Sequence, residues 1–111
     1  MIEIVVYEYL KDVLDVPVYL EIPKTPAEKY VVIEKTGSGI TNHIRRATFT
    51  IQSIAPTMYE AAYLNEQVKD AMDGAISLAD ISRSHMESDY NFTDQSKKNY
   101  RYQAVYELIH Y

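Results

Sequence analysis

Cysteine and tryptophan are both absent from this 111-residue sequence, and glycine and proline are scarce, at three and four residues. Without cysteine there is no disulfide scaffold, no thiolate zinc site and no cysteine nucleophile, and the absence fits a reducing compartment. So few glycines and prolines leave little room for flexible linkers, and a single domain is expected across residues 1–111. No run approaches the roughly 18 apolar residues that span a bilayer, and no basic stretch followed by an apolar one marks a secretory signal. Positive charge is also short: eleven Lys and Arg face sixteen Asp and Glu, for a net charge of −5 and a pI near 5.1. Phosphate neutralisation needs a cationic face, so neither general nor sequence-specific nucleic-acid binding is expected. What remains is 47% hydrophobic and 24% charged, an ordinary globular composition. A chain of this length hides roughly two-thirds of its unfolded surface on folding, enough for a modest core without metal or disulfide.

The charge is unevenly spread. Residues 1–30 hold six acids and three bases, and residues 56–80 hold five acids and only Lys69. Residues 31–55 reverse the sign, with Glu34 against Lys35, Arg45 and Arg46, while residues 81–111 balance four against four. Such segregation is what ordinary helix solvation produces. It is also a pattern suited to head-to-tail contacts between copies of one small protein.

Apolar residues at Ile2, Val5, Val6, Tyr9, Leu10, Val13 and Leu14 recur at helical spacing and predict an amphipathic helix that ends before Pro17. Alternation from Pro17 to Ile22 predicts a strand, and Tyr30 to Lys35 a second one. Thr36, Gly37, Ser38 and Gly39 are expected to break that strand, with irregular chain to about Ile44 and a third strand from Arg46 to Ile54. Thr57 and Glu60 have capping-box spacing. Ala61, Leu64, Val68, Ala71 and Met72 then continue a helix, which Gly74 could stop in the left-handed conformation. Two long strands follow, Ile81 to Phe92 and Tyr100 to Tyr111, joined by a polar turn over 93–99. The order α-β-β-β-α-β-β predicts an α+β domain, a mainly antiparallel sheet packed by two principal helices.

No catalytic or metal-binding constellation emerges. His43, His85 and His110 come from three different predicted elements, and none has a second ligand at helical spacing. No nucleophile-elbow pattern occurs, and Gly37-Ser38-Gly39 lacks the lysine of a phosphate loop. Asp12 with Asp15 and Asp70 with Asp73 read as solvated helix ends. Glu87 and Asp89, two apart on one predicted strand, share a face that could hold a divalent ion. No cofactor is expected.

Tyrosine is the anomaly: eleven of the thirteen aromatic residues are Tyr. A buried hydroxyl must find a partner, so a core built for burial alone would favour Phe and Leu. Rim packing around a small core accounts for the excess, and so does a protein–protein interface. Tyr100, Tyr102 and Tyr106 fall on one strand face, and Tyr59 and Tyr63 lie four apart on the second helix. The last strand, long and lightly protected by Lys97, Lys98 and Arg101, could leave an edge open to another chain. Basic residues concentrate in two connections, which are the candidate docking elements. One is the Gly37 to Arg46 loop (Gly37, Ser38, Gly39, Asn42, His43, Arg45, Arg46). The other is the Lys97 to Arg101 turn (Lys97, Lys98, Tyr100, Arg101), with Tyr102 beside it.

Val31-Val32-Ile33-Glu34-Lys35-Thr36-Gly37, a variable polar loop, and the strand Ala47 to Ile54 running into Ala55-Pro56-Thr57-Met58-Tyr59-Glu60-Ala61-Ala62 together form a pattern. With the continuation Leu64 to Met72 and the closing hairpin, it resembles the tail terminator proteins of long-tailed bacteriophages. The resemblance implies a structural protein without turnover, in phage or prophage. It further implies a ring, usually a hexamer, that docks on the last ring of the tail tube protein, halts its polymerisation and offers a surface to head-completion proteins. The implied location is the virion tail at the head–tail junction, after assembly in the host cytoplasm. Two alternatives stand beside it: another head–tail connector or stopper component, and a small-ligand-binding or hydrolytic α+β domain, which would need a pocket of convergent polar groups.

Overall fold

A computed structural model of the chain describes residues 1–93 and 99–111. Lys97 and Lys98, half of the second candidate docking element, lie outside the described residues. The chain runs as α1 (Ile2–Val13), β1 (Val18–Tyr19), β2 (Tyr30–Thr41), β3 (Ile44–Ala55), α2 (Met58–Asp73), a short 3-10 turn (Gly74–Ser77), β4 (Ile81–Asn91) and β5 (Tyr100–His110). This is the α+β order expected from the sequence, with two helices on a five-stranded mixed sheet. The strands lie in the order β1-β2-β3-β5-β4, with β1 parallel to β2 and every other pair antiparallel. Among the described residues no helix is long and apolar enough to cross a membrane.

One apolar cluster unites the helices with one sheet face. Val6 and Leu10 of α1 and Leu64, Val68 and Met72 of α2 bury against Ile33, Phe49, Ile51, Ala104, Tyr106 and Leu108. Tyr106 is fully buried, and its hydroxyl reaches the Lys69 carbonyl and the Asp73 carboxylate, each at 3.3 Å. Desolvation, reinforced by the Asp73 charge, pushes its phenol well above the usual tyrosine range. Tyr9 links the two helices by donating to the Ala71 carbonyl at 2.6 Å. These two residues show how part of the tyrosine excess serves the core: the ring packs and a main-chain carbonyl takes the hydroxyl. At the start of α2 the Glu60 amide donates to Thr57 Oγ1 at 3.2 Å, as the capping spacing predicts. The Glu60 carboxylate returns to the Thr57 hydroxyl, at 3.1 Å.

Five expectations need correction. The strand from Pro17 shrinks to two residues, Val18 and Tyr19, which pair with Val31 and Val32; the alternating Leu20 and Ile22 are exposed. The Gly37–Arg46 segment is not an irregular loop. β2 passes through both glycines after an irregularity between Lys35 and Gly37, and pairs with β3 to the Thr41↔Ile44 rung. A bulge absorbs the extra residue, so the glycines interrupt neither strand. Gly74 does not stop α2 in a left-handed conformation: its φ is −81°, and the helix runs into the 3-10 turn. A Cβ there would stand 3.0 Å from the Tyr9 hydroxyl, so the glycine answers to a close approach between the helices. β5 is not an open edge, for it lies between β3 and β4. The outer strand on that side is β4, polar along most of its length and broken by two register shifts, both features that discourage edge pairing. Finally, Glu87 falls at the register shift between Met86 and Ser88, outside a regular alternation with Asp89. Asp89 is taken up by Asn65 Nδ2 at 2.6 Å and Lys69 Nζ at 2.7 Å.

Candidate assembly interface

The β2–β3 hairpin outruns the helices. Every residue from Ser38 to Arg46 is exposed, on both strands, so the distal part of the hairpin forms an arm free of the core. Asn42 and His43 close it with φ of 52° and 65°, left-handed values at both central positions of a two-residue turn. That is the geometry of a type I′ turn, whose twist matches the flanking strands. Asn tolerates it well. For His43 the left-handed region is strained, at a cost of about 1–2 kcal/mol.

The arm carries Ile40 and Ile44, 68% and 44% exposed, next to Arg45, Arg46 and His43. Among the described residues neither arginine has an ion-pair partner. Where the arm leaves the body, a cavity of about 450 Å³ opens between Ile2 of α1 and Lys35, Ser38, Ile40, Arg45 and His110. Lys35 does have a partner, Glu3, at 3.0 Å. A bond from its own backbone amide, then the Lys35 ammonium, hold the Glu3 carboxyl below its ordinary pKa.

A second surface lies at the other end of the molecule, which measures 45 Å along its longest axis. There α1 has finished and α2 begins. A groove of about 410 Å³ is lined by Asp15, Lys29, Tyr59, Glu60, Tyr63 and Gln67. Tyr59 and Tyr63, one helical turn apart, stack with ring centroids 6.3 Å apart while remaining 77% and 57% exposed. Lys29 answers Glu60 at 3.4 Å, and among the described residues Asp15 has no ion pair.

The two docking elements expected from the sequence are therefore not neighbours. Arg45 pairs with His110 at one end of β5, whereas Tyr100 pairs with Ala55 at the other. Arg101 sits beside Tyr100, with its guanidinium 5.9 Å from the Phe92 ring centroid, and Tyr102 is half-buried opposite Ser53 and Asn91. Gly37, Ser38, Gly39, Asn42, His43, Arg45 and Arg46 do come together, as the arm. Ile40 and Ile44 were missed because the segment reads as irregular; their signal is an apolar residue shortly before and just after the Asn42-His43 turn. The sheet face away from the helices has buried residues of its own, Tyr30, Ile54 and Gln103. A side-chain ladder crosses it, Gln52 donating to Gln103 at 3.0 Å and Gln103 in turn to the Tyr90 hydroxyl.

Among the described residues no three His, Asp or Glu side chains converge on a place for a metal ion. No known family model matches the chain, and no curated protein sequence matches it either.

Proposed function

We propose that the protein is a tail terminator of a long-tailed phage or prophage, a structural component whose copies close into a ring that caps the tail tube. The observation that carries this reading is the two-ended molecule. A basic, isoleucine-bearing arm stands at one end and a tyrosine-lined groove at the other, on surfaces with different shapes and charges. Two unlike patches make a heterologous contact, which closes into a ring when the rotation between copies allows, whereas a dimer needs one self-complementary patch. The segments resembling tail terminators, Val31 to Gly37, Ala47 to Ala62 and Leu64 to Met72, fall on β2, β3 and α2, one contiguous unit. The variable loop of that resemblance coincides with the arm. In this reading the partners are other copies of the chain, the tail tube protein and a head-completion protein, and the protein turns over no substrate.

Negative-stain imaging of the chain mixed with preassembled tail tubes tests the proposal. Extra ring density at one tube end, with elongation halted there, is the expected result. Binding to portal complexes in place of tubes would assign the protein to the connector and stopper components. A strong, saturable thermal stabilisation by a metabolite, with no binding to tubes, would favour the ligand-binding alternative.

A further inference from the structure

We infer that the contact between neighbouring copies is made by the arm of one subunit seated in the tyrosine groove of the next. The inference rests on the ring reading and assigns it two surfaces. Charge is the first support. The arm carries Arg45, Arg46 and His43 with no acid from Lys35 to Arg46. The segments bearing the two helices hold six acids against three bases and five against one. The groove between the helix ends presents Asp15 and Glu60, and with Asp15 unpaired among the described residues a cation arriving there meets an available carboxylate. Placing the arginines against this layer replaces like-charge repulsion between acidic helices with attraction, which selects arm-to-helix over helix-to-helix docking.

Apolar chemistry is the second support. Ile40 and Ile44 are the large apolar side chains of the arm, and exposed side chains of that size beside unpaired arginines are typical of a surface that becomes covered. In the groove, Tyr59 and Tyr63 stack on each other and remain largely exposed, leaving ring surface for an aliphatic side chain and, at its edge, for a guanidinium. The third support is position. The arm and the groove lie at opposite ends of the molecule, so one subunit can give its arm to one neighbour while receiving another's.

Because the chain contains no cysteine, pairs of introduced thiols report the contact directly. Thr41→Cys places one on the arm and Gln67→Cys one in the groove, leaving Ile40, Arg45, Arg46, Tyr59 and Tyr63 in place. A short bismaleimide linker, added to the two single variants mixed together, is expected to give a heterodimer of twice the 12.8 kDa chain. The double variant should give a ladder of higher multiples. Adding Arg45→Glu and Arg46→Glu to the arm partner should cut the heterodimer yield about tenfold, as should molar salt. If each single variant cross-links to itself as well as the mixture does, the contact is self-complementary and the inference fails. If the mixture yields no cross-link, it also fails. Rings seen by imaging alongside absent cross-links would sink this contact and leave the terminator reading intact. Cross-links formed by a chain that neither makes rings nor caps tubes would do the reverse.

Discussion

The two halves of the β2–β3 hairpin are joined across a bulge in one continuous pair of strands, yet they are built for opposite ends. In the proximal half, Val31, Ile33, Phe49 and Ile51 are shut into the core under both helices. In the distal half, from Ser38 to Arg46, every residue is exposed, the apolar Ile40 and Ile44 among them. One ladder of backbone hydrogen bonds holds both. Packing sets the proximal residues, whereas the distal side chains stay exposed, with only the backbone of Arg45 and Arg46 paired to β5. On the proposed reading, a strand pair that continues past its core through a strained His43 has its use in the contact with another chain.

That contrast breaks most sharply on mutation. Phe49→Ala in the proximal half should cost about 3–5 kcal/mol of folding stability, read by chemical denaturation, because it opens a cavity where the surroundings relax only partly. Ile40→Ala and Ile44→Ala, on the arm, should stay within about 0.5 kcal/mol of the wild type in the same experiment while weakening self-association. If the arm substitutions destabilise as the core one does, the two halves are not distinct.

Acid–base behaviour separates the body from the arm in the same way. Tyr106 and Tyr9 have phenols raised by burial, and Lys69 is raised by its bonds to Asp89 and then Glu66. Each folded group keeps its proton to higher pH than in the unfolded chain, so their contribution is complete below the ordinary values near pH 10 and is lost as pH rises through the shifted ones. Stability should therefore fall on the alkaline side, and Tyr106→Phe should flatten that fall. Glu3 works in the opposite sense: with its carboxyl held low, its contribution is complete above the ordinary value near 4.5 and is lost as pH falls. Thermal scans across pH check both limbs. Arg45→Glu with Arg46→Glu should leave them unchanged.

One further substitution sharpens the comparison at the tip. His43→Gly should raise stability by about 1 kcal/mol, since glycine adopts the left-handed conformation freely and Asn-Gly is the favoured pair for this turn. Assembly that suffers although folding improves would show that the imidazole serves the contact.

The sequence carried the body better than the arm. Helical periodicity and the Thr57–Glu60 spacing located both helices, because those signals are local. Glycines at 37 and 39 read as a break, since nothing nearby reveals that a bulge would absorb them into a strand. Asn42-His43 lacks the glycine that advertises a two-residue turn, so the hairpin and its isoleucines stayed hidden. The place of β5 inside the sheet depends on pairings far apart in sequence, from Ala55 with Tyr100 to Arg45 with His110, which no local pattern encodes. For the same reason the sequence says nothing of the distance between the arm and Arg101, which stand at opposite ends of the sheet. Cationic clustering around Arg45 and Arg46 was visible from composition alone, and it is the part of the candidate site that the fold preserves as a unit.

Sedimentation of the wild-type chain beside the Arg45→Glu, Arg46→Glu variant, from micromolar to millimolar concentration, tests the role of the arm most directly. The wild type should reach one closed species of fixed stoichiometry as concentration rises, while the variant remains at the 12.8 kDa of a single chain. Identical sedimentation of the two proteins, whether assembled or not, would contradict it.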